Sequence, residues 1–181
     1  MIRRITANHG MACARYLILA VVIAATATAA GCLGGYSAGE LYPDNVRTVY
    51  LPIFANRSFY RETEFRLTEA LVKEIESRTP YKVVSSGAAD TELSGTILAV
   101  NKRLLSRTFE GGVPQELQVT IVADFQWKDL RTGQLIRKRN RIEGTGQYVP
   151  TYPVSEPFEV AQHEAVASLS SEIVSVMRSD W

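Results

Sequence analysis

Residue types that carry covalent or metal chemistry are scarce in this chain of 181 residues, which has two cysteines, Cys13 and Cys32, and two histidines, His9 and His163. Only His163 lies beyond residue 32, and no cysteine follows Cys32, so a tetrahedral nitrogen and sulfur metal site lacks its ligands. No phosphate-cradling G-x-x-x-x-G-K motif occurs. The acids between Arg61 and Arg78 read as the solvated face of a helix. Metal and phosphoryl-transfer chemistry lack their parts, which argues against an enzyme and implies no cofactor. What stands out is charge: Lys128, Arg131, Arg137, Lys138, Arg139 and Arg141 face only Asp129 within 14 residues. Forked guanidinium groups bind phosphates and carboxylates bidentately, so an anion-binding stripe is one reading of this run. A charged sheet edge that resists strand addition is the other.

Cys32 has a chemistry of its own. Arg3, Arg4 and Arg15 precede an uncharged run from Tyr16 to Ala30, and Gly31-Cys32 follows. A basic start, an apolar stretch and small residues before a cut are the layout of a secretory signal peptide over residues 1–31. A spanning helix wants about 20 apolar residues, and this run thins into Ala24, Ala25, Thr26, Ala27 and Thr28. Ala29-Ala30-Gly31-Cys32 resembles the lipobox of bacterial lipoproteins, with Ala29 where Leu is commonest. In that motif the cysteine is diacylated on sulfur and becomes the mature N-terminus. Lipidation also removes a lone thiol from a chain bound for an oxidising compartment, and two or more acyl chains anchor stably where one does not. Leu33 follows, not the Asp that retains many such proteins at the inner membrane. Cys32 is therefore the expected lipid attachment site, and the outer membrane, on its periplasmic side, the expected location.

The first 31 residues hold three of the 20 basic residues and none of the 19 acids, leaving 17 against 19 and a net charge of −2. Nucleic acid is excluded as a partner by that charge and by the compartment. Residues 32–45, with three glycines and one proline from Leu33 to Asp44, read as a lipidated tether.

A single domain over 46–181 must position the basic run. Val46–Phe54 reads as a first strand at a sheet edge, because Pro52 has no N–H for an interior ladder. Arg61–Arg78 has Leu67, Leu71 and Ile75 on a helical stripe flanked by Phe65 and Val72, and Pro80 stops it. Tyr81–Val84 is a short strand, and Thr91–Arg103 a longer one with Leu93, Gly95, Ile97 and Ala99 on one face. A loop with Gly111-Gly112 covers Leu104–Pro114. Over Glu116–Lys128 apolar and polar residues alternate with period two, Val122 being the exception. Asp129–Gln134 reads as a hairpin turn with Gly133 left-handed. Direct pairing of Asp129 with Gln134 places Gln126 opposite Arg137 and Asp124 opposite Arg139, so Arg137, Arg139 and Arg141 would share the polar face while Ile136 and Ile142 turn inward. A loop with Gly144, Gly146, Pro150 and Pro153 leads to a last helix over Ser155–Arg178, striped by Phe158, Ala165, Leu169, Ile173 and Val176. The expected fold is α+β, a two-layer sandwich with two helices on one face of a mainly antiparallel sheet of four to five strands.

Several segments together resemble one family. They are Gly34-Gly35-Tyr36-Ser37, the stretch Val46 to Phe59, Leu67 to Leu71, Leu93-Ser94-Gly95-Thr96-Ile97 and Asp129-Leu130-Arg131-Thr132-Gly133. In this order and spacing they are similar to the lipopolysaccharide-assembly lipoprotein family LptE. The resemblance implies a non-catalytic lipoprotein that plugs the outer-membrane β-barrel LptD and helps lipopolysaccharide reach the cell surface, anchored in the inner leaflet by its lipid. Basic residues before the long alternating strand and near the last helix would meet lipid A phosphates in the family. Here those regions hold Arg107 with Glu110, and Glu156, so the contacts do not transfer by position. Arg107, Arg131, Arg137, Arg139 and Arg141 are the candidates on charge. Thr48–Ser58 is also similar to the opening strand of periplasmic lipoproteins that activate a peptidoglycan synthase or build a secretion pore. A soluble lipid carrier fits less well, because the outer face of Glu116–Lys128 is charged.

Overall fold

The computed structural model describes Tyr42 and residues 45–107, 114–150 and 157–178. The segment read as a signal peptide, Cys32, most of the segment read as a tether, Gly111-Gly112, Pro153, Ser155 and Trp181 lie outside these residues. The elements run β1 (Thr48–Tyr50), β2 (Ala55–Asn56), α1 (Thr63–Arg78), β3 (Lys82–Val83), β4 (Thr91–Arg107), β5 (Pro114–Asp129), β6 (Leu135–Tyr148) and α2 (Phe158–Val176). They form one six-stranded sheet in the order β3-β1-β4-β5-β6, with β2 also on β4. β1 and β2 run parallel to β4, and β1 parallel to β3. β4, β5 and β6 form an antiparallel meander. The α+β sandwich is as expected, with a mixed sheet in place of a mainly antiparallel one.

The expected first strand is split in two. Leu51–Phe54 carries no strand pairing, and Pro52 falls in that gap, where its missing N–H breaks no ladder bond. β1 is interior, between β3 and β4, so the edge placement was wrong for this half.

Alternation along β5 builds the core. Val119, Ile121, Ala123, Phe125 and Trp127 are buried in one cluster with Leu67, Leu71 and Ile75 of α1 and Ala165, Leu169 and Ile173 of α2. Phe65 does not join them; it is 55% exposed. The two helices are joined by a buried bond in which Gln162 Nε2 donates to Thr63 Oγ1 at 2.8 Å, while the Thr63 hydroxyl donates to the Tyr60 carbonyl at 3.0 Å. A bulge between Ile97 and Ala99 reverses the facing of β4 beyond it. Ala99 then pairs with Val122, and Val100 takes the inward position opposite Ile121.

Gly144 and Gly146 are not in a loop. They sit inside β6, opposite Ile121 and Val119, directly beneath α2. A Cβ at Gly146 would fall on the Ala161 carbonyl oxygen and one at Gly144 on that of Ala165, both inside van der Waals contact. Glycine here serves close approach of helix to strand, a use that looks the same in sequence as a turn.

Two substitutions test this packing by urea denaturation. Gly146→Ala should lower stability by about 1–3 kcal/mol, since backbone stands in the way of the added methyl. Trp127→Ala, at a site 1% exposed, should cost about 3–5 kcal/mol. An unchanged midpoint for Gly146→Ala would mean that α2 is not seated on β6.

Candidate functional site

The basic run occupies the β5–β6 hairpin, whose turn is built by Asp129. Its Oδ1 accepts from the N–H groups of Arg131 at 2.7 Å and Thr132 at 3.0 Å. The Gly133 N–H donates to the Asp129 carbonyl at 2.9 Å, with Gly133 at φ 71° as expected. Asp90 ties the turn to the start of the domain. The Leu130 N–H donates to the Asp90 carbonyl at 2.8 Å. Asp90 Oδ2 accepts from the Arg47 N–H at 3.0 Å, the Thr48 N–H at 3.1 Å and the Thr48 hydroxyl at 3.0 Å. Arg131 spans the junction, donating to the Asn45 carbonyl at 2.8 Å and lying 3.6 Å from Asp129 and 4.0 Å from Asp90.

These bonds also set acidity. The Arg47 N–H and the Thr48 hydroxyl hold the Asp90 carboxyl below the usual range, with a smaller contribution from Arg131. Asp129 is lowered chiefly by the N–H of Thr132. Both charges are therefore more stable folded than unfolded.

Across the hairpin the expected register slips. Lys128 faces Leu135, but Trp127 faces Arg137, Gln126 faces Lys138 and Phe125 faces Arg139. One bulge leaves Ile136 without a partner, and a second sets Asn140 and Arg141 together against Asp124. Arg141 adopts φ 53°, and its N–H donates to Asp124 Oδ1 at 2.7 Å. A one-residue slip turns every side chain over. Arg137 and Arg139 consequently lie on the side of Trp127 and Phe125, and the outer face receives Lys138 and Asn140. Ile136 and Ile142 pack against the core as expected.

The outer face is thus mixed in charge, not basic. Arg103, Lys128 and Lys138 share it with Glu92, Glu116, Asp124 and Glu143 by the pairing register. A shallow groove of about 330 Å³ runs along it, lined by Ser94, Thr96, Asp124, Gln126, Lys138 and Asn140. Lys102 leaves this face: its Nζ lies 4.0 Å from the Phe158 ring and 5.5 Å from the Tyr60 ring. Arg107 ends β4, with its side chain outside the described residues.

His163 lines a groove of about 400 Å³ between the helices with Arg66, Glu69, Lys73 and Ser170. No group of three or more His, Cys, Asp or Glu able to hold a metal is present among the described residues. A G-x-S-x-G spacing occurs at Gly35–Gly39. It lies outside the described residues, in the Gly-rich stretch just after Cys32, and no apolar strand run separates the two as a nucleophile elbow would need.

Because the folded-state pKa of Asp90 is depressed, its contribution to stability is present at neutral pH. It is lost as pH falls through that lowered value. Asp90→Asn should melt below the parent at pH 7, and the gap should close as pH drops below about 4; thermal melts across that range check it. A gap that persists in acid would show that the Asp90 charge is not what braces the turn.

Among curated proteins no sequence matches. Several solved structures are similar at low identity. Lipoprotein B of Nitrosomonas europaea is 16% identical over 78% of this chain and 90% of its own, with a TM-score of 0.49. The PelC dodecamer of Paraburkholderia phytofirmans is 15% identical over 76% and 93%, at 0.48. Lipoprotein GNA1162 of Neisseria meningitidis is 10% identical over 71% and 95%, at 0.44. The family model LptE, lipopolysaccharide-assembly, matches residues 46–177 and so takes in every described element from β1 to α2. The chain belongs to the LptE family.

Proposed function

We propose that the mature chain is an outer-membrane lipoprotein, acylated on Cys32 and held on the periplasmic side. There it occupies the lumen of an LptD-type β-barrel and assists lipopolysaccharide insertion into the outer leaflet. The observation that carries this reading is the family match over residues 46–177. A sheet with both helices on one side and a polar, mixed-charge opposite face is compatible with it. Barrel lumens are polar, and an interface that intersperses both signs can match such a wall pair by pair. No catalytic step is assigned.

Within this reading the phosphate groups of lipid A are taken by basic side chains. Arg139 and Arg141 are exposed on β6 and are the best placed of the candidates. Arg131 is engaged in bracing the turn, Arg137 is half-buried beside Trp127, and Arg107 stays a proposal on charge alone.

Depletion of the chain should remove lipopolysaccharide from the cell surface, and pull-down of the tagged chain should bring a heat-modifiable barrel with it. Unchanged surface lipopolysaccharide on depletion overturns the reading. Cys32→Ala should shift the chain from the membrane fraction to the soluble periplasm. The pair Arg139→Glu and Arg141→Glu should leave melting within a few degrees of the parent, because exposed pairs contribute about 0–1 kcal/mol, while reducing retention of lipopolysaccharide.

A further inference from the structure

The chain enters the domain at one end of the sheet. Tyr42 is buried, its ring meets Tyr81 edge-on at 5.5 Å, and its hydroxyl donates to the Arg78 carbonyl at the end of α1 at 3.0 Å. Three residues on, the Asn45 carbonyl accepts from Arg131 at 2.8 Å. The β5–β6 turn and the point of chain entry are therefore neighbours. Ten residue steps separate Tyr42 from Cys32, which limits the reach between them to about 35 Å.

That same end combines apolar and basic groups in an arrangement suited to a lipid surface. Leu130 and Leu135 are 39% and 52% exposed on the hairpin. Lys128 and Lys138 stand exposed beside them. Arg47 and Lys82 lie at the same end, where the Lys82 N–H donates to the Arg47 carbonyl at 3.0 Å and Thr48 pairs with Lys82. Of the acids at this end, Asp90 and Asp129 are occupied by N–H and hydroxyl donors, and Glu92 stands opposite Lys128 across the strands, which leaves Lys138, Arg47 and Lys82 in excess. Exposed leucines ringed by cations are a pattern that inserts shallowly among anionic headgroups.

We propose that the tip of the β5–β6 hairpin, through Leu130 and Leu135 with Lys128 and Lys138, is a contact surface for anionic phospholipid headgroups. It would dock the domain against the leaflet that holds its anchor. The inference rests on the anchored reading above and adds a second, reversible point of attachment, with the hairpin end turned toward the bilayer and the Tyr60–Phe158 end away from it.

The test uses the purified full chain with its lipid, reconstituted in vesicles of phosphatidylcholine, with or without phosphatidylglycerol, or with lipopolysaccharide in its place. A fluorophore is placed at Leu130→Cys or, as a control at the other end, at Phe59→Cys. A quencher fixed at headgroup depth should quench the Leu130 probe several-fold more in phosphatidylglycerol vesicles than in phosphatidylcholine, and leave the Phe59 probe unchanged. Lys128→Glu with Lys138→Glu should abolish the difference with an unaltered thermal melt. Chain that floats with the vesicles while the Leu130 probe stays unquenched overturns the proposal alone. Quenching that is equal in neutral vesicles, or confined to those with lipopolysaccharide, overturns it as well. Chain that floats with none of them overturns the anchored reading and this proposal together.

Discussion

Contact between α2 and the backbone of β6 is the constraint on which the sandwich depends. Helix and strand approach so closely at Gly144 and Gly146 that no side chain fits between them. This brings Ala161, Ala165 and Leu169 down onto the sheet and closes the core over β5. Once α2 is so placed, α1 has one position left, beside it over the β1–β4 half, where Gln162 and Thr63 lock the two helices. Small residues on both sides of a contact exchange side-chain volume for extended backbone proximity, and the larger residues pack around that seam.

Much of this was legible in the order of residues. Thirteen residues of alternation from Glu116 to Lys128 announced which side of β5 is buried, and Leu67, Leu71 and Ile75 announced the buried stripe of α1. Asp129 and Gly133 specified the turn. The glycines of β6 misled because a glycine lacking a side chain for a turn and one lacking it for a helix leave the same mark. Phe65 misled because its helical position borders the stripe, yet its side chain stays more than half exposed.

The arrangement of the basic residues was not legible, and the reason is specific. Two bulges in β6 change the register twice within eight residues, from Leu135 to Ile142. Neither is marked by a glycine or proline; the left-handed residue at the second is Arg141. Its cost is offset locally by the bond from its N–H to Asp124. A regular ladder would have gathered Arg137, Arg139 and Arg141 with Asp124 and Gln126, whereas the bulged one divides positive charge between the two sides of the sheet. Lys102 shows the same limit. Its ammonium is held over Phe158, an aromatic 56 positions away, and nothing near it in sequence signals that partner.

Tyr42 has a mechanical consequence. Force applied through the N-terminal chain does not reach the three-residue strand β1 first. It is borne by Tyr42 at the last turn of α1 and by Asn45 through Arg131 to the hairpin. The load is thus shared between a helix end and a turn that belong to opposite sides of the core. The weak parallel pairing of β1 stays shielded until both of these have yielded.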